Sequence, residues 1–313
     1  MSGPSRIDVK PEDLFSKATP ATRLGRFFSF PLCRMFVVAA FLMPVVVVNS
    51  IVVLQVIEKV PEPLATQIDM ARMCLTFVLL IVSYRLYCGV FEKREALEVG
   101  FRGCGRESAV GALLGTVAVT FTVVVLWSVD AYGIQTFNSP WVLPRTLIIF
   151  GVGALFQDLI LLCVLYRLIE ELTGSWVAII SSLLVFGIAH AGNPNATAGS
   201  VAALCVSSIV LLAPFILTRR LWLSWGLHAS WNFMQAGVFG MPNSGHVFPG
   251  WIQPTVAGPI WLTGGNIGIE GSYLAIGFDV LLGLGLLVWA IRRGQLVAPR
   301  WKRPARPLEQ EEP

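Results

Sequence analysis

The chain has 313 residues, of which 55% are hydrophobic and 13% charged, and a formal net charge of +4; its mean hydropathy is +0.70. This composition excludes an ordinary soluble domain and a disordered chain, and it places the protein in a lipid bilayer. Most of the basic residues flank apolar segments, which is a signal of membrane topology and not of nucleic-acid binding.

The first 34 residues mix Lys, Arg, Asp, Glu and Pro, without a short apolar core and small-residue cleavage site, and are expected to be a cytoplasmic tail. Eight apolar segments follow, at 35–57, 71–91, 109–129, 143–169, 175–192, 199–218, 221–240 and 272–291. Hydrocarbon leaves no partner for a free backbone amide, so runs of about 20 apolar residues are predicted to be helices. The expected fold is therefore an all-α polytopic membrane protein with about eight transmembrane helices. It divides into the tail 1–34, N-terminal transmembrane helices 35–142, a core 143–291 and a basic cytoplasmic tail 292–313.

Basic residues cluster before the first span (Arg6, Lys10, Lys17, Arg23, Arg26, Arg34), between the second and third (Lys93, Arg94, Arg102, Arg106) and between the sixth and seventh (Arg219, Arg220). Arg167 closes the fourth span, and Arg292, Arg293, Arg300, Lys302, Arg303 and Arg306 follow the eighth. The alternation puts both termini in the cytoplasm, and short tails and compact loops point to a bacterial inner membrane. The Gly- and Pro-rich stretch from Met241 to Gly271 becomes an extracytoplasmic loop or re-entrant segment. Six scattered cysteines show no paired spacing and signal neither a disulfide framework nor a thiolate metal site.

Ionisable groups inside spans are costly and point to function. They are Arg85, Asp158, His190, His228 and Asp279, with Gln157 and Asn232 as neutral company. Arg85 lies near a span end, where its long stem reaches water. His228 and Asn232 are four apart and share one helical face, as do Phe186 and His190. Two imidazoles, an amide and a carboxylate from three helices suit either zinc, held by His190, His228 and Asp158, or an attacking water. The "EEL" at Glu170 to Leu172 follows Arg167 at the cytoplasmic end and reads as solvated charge; Trp222, Trp251 and Trp261 read as an interfacial belt.

The order acidic pair, F-x-x-x-H, H-x-x-x-N, together with "GSWVAIISSLLVFGIAHAGNPNAT", "LTRRLWLSWGLHASWNFMQAGVFG", "NSG" and "GPIWLTGGNIGIEGS", resembles the CPBP intramembrane metalloproteases, which include the CAAX prenyl proteases and bacteriocin-immunity proteins. The resemblance runs from about Phe156 to Leu282. It implies a metal-dependent endopeptidase acting on a membrane peptide or protein, with catalytic positions Gln157, Asp158, His190, His228 and Asn232. The family's first motif is E-E-x-x-F-R-G, and here Gln157, Asp158, Leu161, Leu162 and Cys163 stand at its named positions. An amide cannot serve as a general base, and Asp158 is one methylene shorter than Glu. Replacing E-E-R by Q-D-L leaves the local charge at minus one, so a catalytically inactive homologue acting as a binding, chaperone or immunity protein stands beside the protease. A proton-relay transporter using Asp158 and Asp279 also fits the intramembrane acids, but no inverted repeat accompanies them.

Overall fold

The computed structural model describes residues 9–303; Arg6 and Arg306 of the basic flanks lie outside them. Eight long helices dominate. They are α1 (Pro31–Gln55), α2 (Leu64–Tyr87), α3 (Cys104–Ser128), α4 (Val142–Thr173), α5 (Ser175–Ala189), α6 (Ala198–Thr218), α7 (Leu221–Asn232) and α8 (Tyr273–Arg292). Six of them, including their flanking turns, are long and apolar enough to cross a membrane: α1, α2, α3, α4, α6 and α8. The expected count of eight spans is not confirmed. α5 has only 15 residues and α7 only 12 before its geometry changes.

The all-α expectation also omitted a small sheet. β1 (Tyr132–Phe137), which follows α3, pairs antiparallel with β2 (Ile252–Val256), with Tyr132 opposite Val256. The long Gly- and Pro-rich stretch thus has structure of its own, including a short helix at Ile260–Thr263.

Two features of local sequence position the site. The first is the close approach of α7 to α3. Gly111 and Gly115 form a G-x-x-x-G stripe on α3, and a Cβ at Gly111 would lie 2.2 Å from the carbonyl oxygen of Leu223, one at Gly115 2.5 Å from that of Leu227. From the other side, a Cβ at Gly226 would meet the carbonyl oxygen of Ser108 at 2.3 Å. Small residues let the two backbones touch, which is how helices gain packing where lipid offers no hydrophobic drive. The second is a change of helical pitch: α4 widens into a π-helix at Leu159–Tyr166, and α7 continues as one at Phe233–Val238. Both begin directly after predicted site residues, a placement common for such widenings.

At the opposite end from the sheet, five arginines of the basic flanks do not lie in solvent, although most of the other flank residues do. Arg34, Arg94, Arg167, Arg219 and Arg220 are buried. Glu92 pairs with Arg34 at 2.6 Å, Arg94 at 2.7 Å and Arg167 at 2.9 Å. Arg94 also reaches Glu98 at 2.7 Å. Burial pushes the Glu98 carboxyl up, but Arg94 and Arg167 outweigh it and hold it below its ordinary value. Of the "EEL" acids Glu170 is buried and Glu171 partly so: Glu170 accepts from Arg219, from Tyr166 Oη at 2.5 Å and from Ser175 Oγ at 2.6 Å, and Glu171 pairs with Arg34 at 2.5 Å. The cause is coverage. The chain before α1 folds over these helix ends, where the Leu14 carbonyl accepts from Arg167 at 3.0 Å, so the charges must pair with one another. Trp222 likewise leaves the expected interfacial belt: it is buried, and its indole donates to the Gly100 carbonyl at 2.8 Å.

Candidate active site

Gln157 and Asp158 are the last two residues of the α-helical part of α4. Neighbours on a helix point about 100° apart, and the two side chains part accordingly. Gln157 is exposed to a cavity, whereas Asp158 is completely buried. Asp158 Oδ1 lies 2.9 Å from His228 Nδ1, and Oδ2 has no hydrogen-bond partner. The carboxylate thus stands behind an imidazole, away from Gln157.

His190 terminates α5, and its Nδ1–H donates to the Phe186 carbonyl one turn back at 2.7 Å. The Phe186 ring stands between the two histidines, 4.7 Å from His190 and 6.3 Å from His228 between ring centres, which gives the F-x-x-x-H spacing a physical meaning. Asn232 closes the α-helical part of α7, and its Oδ1 accepts from Asn243 Nδ2 at 3.0 Å. With that oxygen held, the Asn232 amide N–H groups remain as donors.

These groups meet. One cavity of about 640 Å³ is lined by Gln157, His190, His228 and Asn232, and by two further acids, Glu270 and Asp279. The Phe186 carbonyl fixes a proton on Nδ1 of His190, and Asp158 does the same for His228. Each imidazole therefore keeps its Nε2 lone pair free, the arrangement by which an acceptor behind a histidine sets its tautomer.

Sequence reasoning found no role for Glu270, and the fold supplies one. Its Oε1 accepts from Asn243 Nδ2 at 3.0 Å, Ser244 N at 2.9 Å and Ser244 Oγ at 3.1 Å, and its Oε2 from Gln235 Nε2 at 2.8 Å. Gln235 in turn accepts from the Trp231 indole at 2.8 Å. Glu270 thereby ties the Asn243–Ser244 turn to α7 and, through Asn243, orients Asn232. Burial pushes its carboxyl up to about 7, against the lowering effect of these donors. The signal was present as an acid inside a glycine-rich stretch and an "NSG" turn, but nothing in the spacing links positions 235, 243 and 270.

The donor set argues against the expected metal. A zinc site takes three or four protein ligands. Asp158 is committed to His228 Nδ1, the place of a supporting group behind a ligand. Among the described residues no group of three or more His, Cys, Asp and Glu side chains is placed to hold a metal ion. His190, His228 and Asp158 therefore do not fit as a three-ligand zinc set.

Helices long enough to cross a bilayer surround a cavity that carries two oriented imidazoles, which is consistent with an integral membrane protein. Residues 139–234, which carry Gln157, His190, His228 and Asn232, match the family model described as type II CAAX prenyl endopeptidase Rce1-like, in line with the resemblance of the motifs. No curated protein and no solved structure matches the chain.

Proposed function

We propose that the chain is an intramembrane peptide hydrolase of the CAAX-protease kind in which imidazole takes over the role of the lost glutamate pair. The proposal rests on the 2.9 Å contact between Asp158 and His228 at the wall of the shared cavity. A water held by Gln157 and by Nε2 of His190 attacks the peptide carbonyl. Its proton passes to Nε2 of His228, and Asp158 stabilises the resulting imidazolium without taking the proton itself. The Asn232 amide donates to the oxyanion, the use to which a preorganised donor is best put. As the intermediate collapses, the C–N bond breaks and the imidazolium returns its proton to the leaving amine. No step passes through a metal. The topology proposed with this chemistry puts both termini on the cytoplasmic side of a bacterial inner membrane, supported by the basic residues gathered at one set of helix ends.

Binding without hydrolysis is the second reading, favoured by Gln157 itself, an amide where the family carries a base. The test uses the full chain in proteoliposomes with a library of fluorogenic, membrane-anchored peptides. Hydrolysis that falls by about 10²–10⁴-fold in His228→Ala and rises in Gln157→Glu supports the imidazole mechanism. Peptides bound but never cut, by wild type and variants alike, leave only the binding role.

A further inference from the structure

Asp279 lies in the second turn of α8, outside the segment that matches the CAAX-protease family, and lines the same cavity as the motif residues. It is 5% exposed, and its Oδ1 has no hydrogen-bond partner. A carboxylate in the apolar interior of a membrane protein is costly. Such groups are retained where something pairs with them.

The protein provides no such partner nearby. Among the described residues lining the cavity none is Lys or Arg. The other acid lining the cavity is Glu270, whose two oxygens already accept from Asn243, Ser244 and Gln235. The buried arginines of the opposite end are spent on acids of their own: Glu92, Glu98, Glu170, Glu171 and Glu107. Among the described residues the cavity thus holds one carboxylate with unused hydrogen-bonding capacity and no Lys or Arg to pair with it.

We propose that Asp279 is a specificity residue that receives a cationic group, a Lys ammonium or an Arg guanidinium, of the peptide bound in the cavity. The proposal rests on the peptide reading above and adds a substrate class to it: apolar membrane peptides bearing a basic side chain. The ligand supplies the missing positive charge, and the water-poor cavity strengthens the pairing. Glu270 stays a positioning residue of the Asn243–Ser244 turn.

The test is binding, so it does not depend on hydrolysis. A fluorescently labelled ten-residue apolar peptide with one central Arg is compared with the same peptide carrying citrulline, a neutral mimic of nearly the same shape, on the full chain in nanodiscs. Wild type should favour Arg by about tenfold or more; Asp279→Asn should abolish the preference and Asp279→Glu should keep most of it. Equal affinities in wild type, or a preference that survives Asp279→Asn, overturn the proposal. Should the Asn variant fail to fold, the wild-type comparison decides alone. A second pair, butylguanidinium against butylurea, is followed by thermal shift. Stabilisation by the cation alone, without binding of either peptide, keeps the subsite and removes the peptide reading; no preference in either pair removes both.

Discussion

The α3–α7 seam makes a prediction that links packing to chemistry. In Gly111→Ala the new methyl would stand 2.2 Å from the Leu223 carbonyl oxygen and 2.8 Å from the Leu227 amide nitrogen. Neither is the tip of a flexible side chain, so α3 and α7 would have to part by roughly 1 Å. The fair control is Gly285→Ala in α8, where nothing lies within 4 Å of the added atom. Both substitutions gain the same helix propensity, up to about 1 kcal/mol, so their difference isolates overpacking, expected at about 1–3 kcal/mol in favour of the control. Thermal unfolding in detergent micelles reads that difference as several degrees. The displacement also reaches the site, because Leu227 adjoins His228, and a misplacement of about 1 Å can cost a hundredfold in rate. The chain has three histidines, which makes ¹⁵N-histidine spectra simple to assign, and the hydrogen-bonded Nδ1 signal of His228 should move in Gly111→Ala alone. Equal stability of the two variants together with unmoved histidine signals would refute the close-contact reasoning.

Glu270 predicts a pH dependence of defined sign. Its folded pKa of about 7 lies above the ordinary carboxyl value of 4.5, so the folded state binds more proton between those limits. Its contribution is complete below the ordinary value and is lost as pH rises through about 7, a change of about 3 kcal/mol; in Glu270→Gln the melting temperature should no longer fall across that window, and an unchanged slope would count against the assignment. At the other end, Glu170→Ala strands the completely buried Arg219 guanidinium without a carboxylate, leaving Gln295 and the Tyr166 ring beside it. The expected loss is about 3–5 kcal/mol, read by the same unfolding assay, and a change near zero would mean that water reaches this end of the bundle.

What the sequence made legible follows from periodicity and from short spacing. Apolar runs set the helices, and the four-residue intervals Phe186 to His190 and His228 to Asn232 placed each pair on one face. The count of eight spans is not confirmed, because hydropathy along a chain does not distinguish a helix surrounded by lipid from one surrounded by protein: α7 is short, and most of its residues are buried against neighbours such as α3. The buried arginines were misread for a related reason. A basic residue at a span end looks the same whether it meets lipid headgroups and water or is covered by a segment such as the one around Leu14. The sheet was missed because its two strands lie more than a hundred residues apart, and neither carries a hairpin turn to announce the pairing.

The changed first motif is where local and tertiary information diverge most. In sequence, the loss of an acid at 157 and of a base at 162 looks like the joint disappearance of an ion pair. In the fold the two positions occupy different surroundings. Gln157 opens on the cavity, while Leu162 is completely buried in the apolar core with Leu161 and Cys163 beside it. A charge at 162 would now need a partner there, and Glu98, the nearby acid whose neighbour Tyr84 also binds the Cys163 carbonyl, is already occupied by Arg94 and Tyr84. Position 157 carries no such constraint, since a carboxylate there would face the cavity. The core has therefore closed over the site of the lost base, and the cavity has kept the place of the lost acid. Two imidazoles, an amide whose oxygen is held by Asn243 and a carboxylate with an unpartnered oxygen line that same cavity, and an unpartnered polar group in an apolar surround costs stability until something pairs with it.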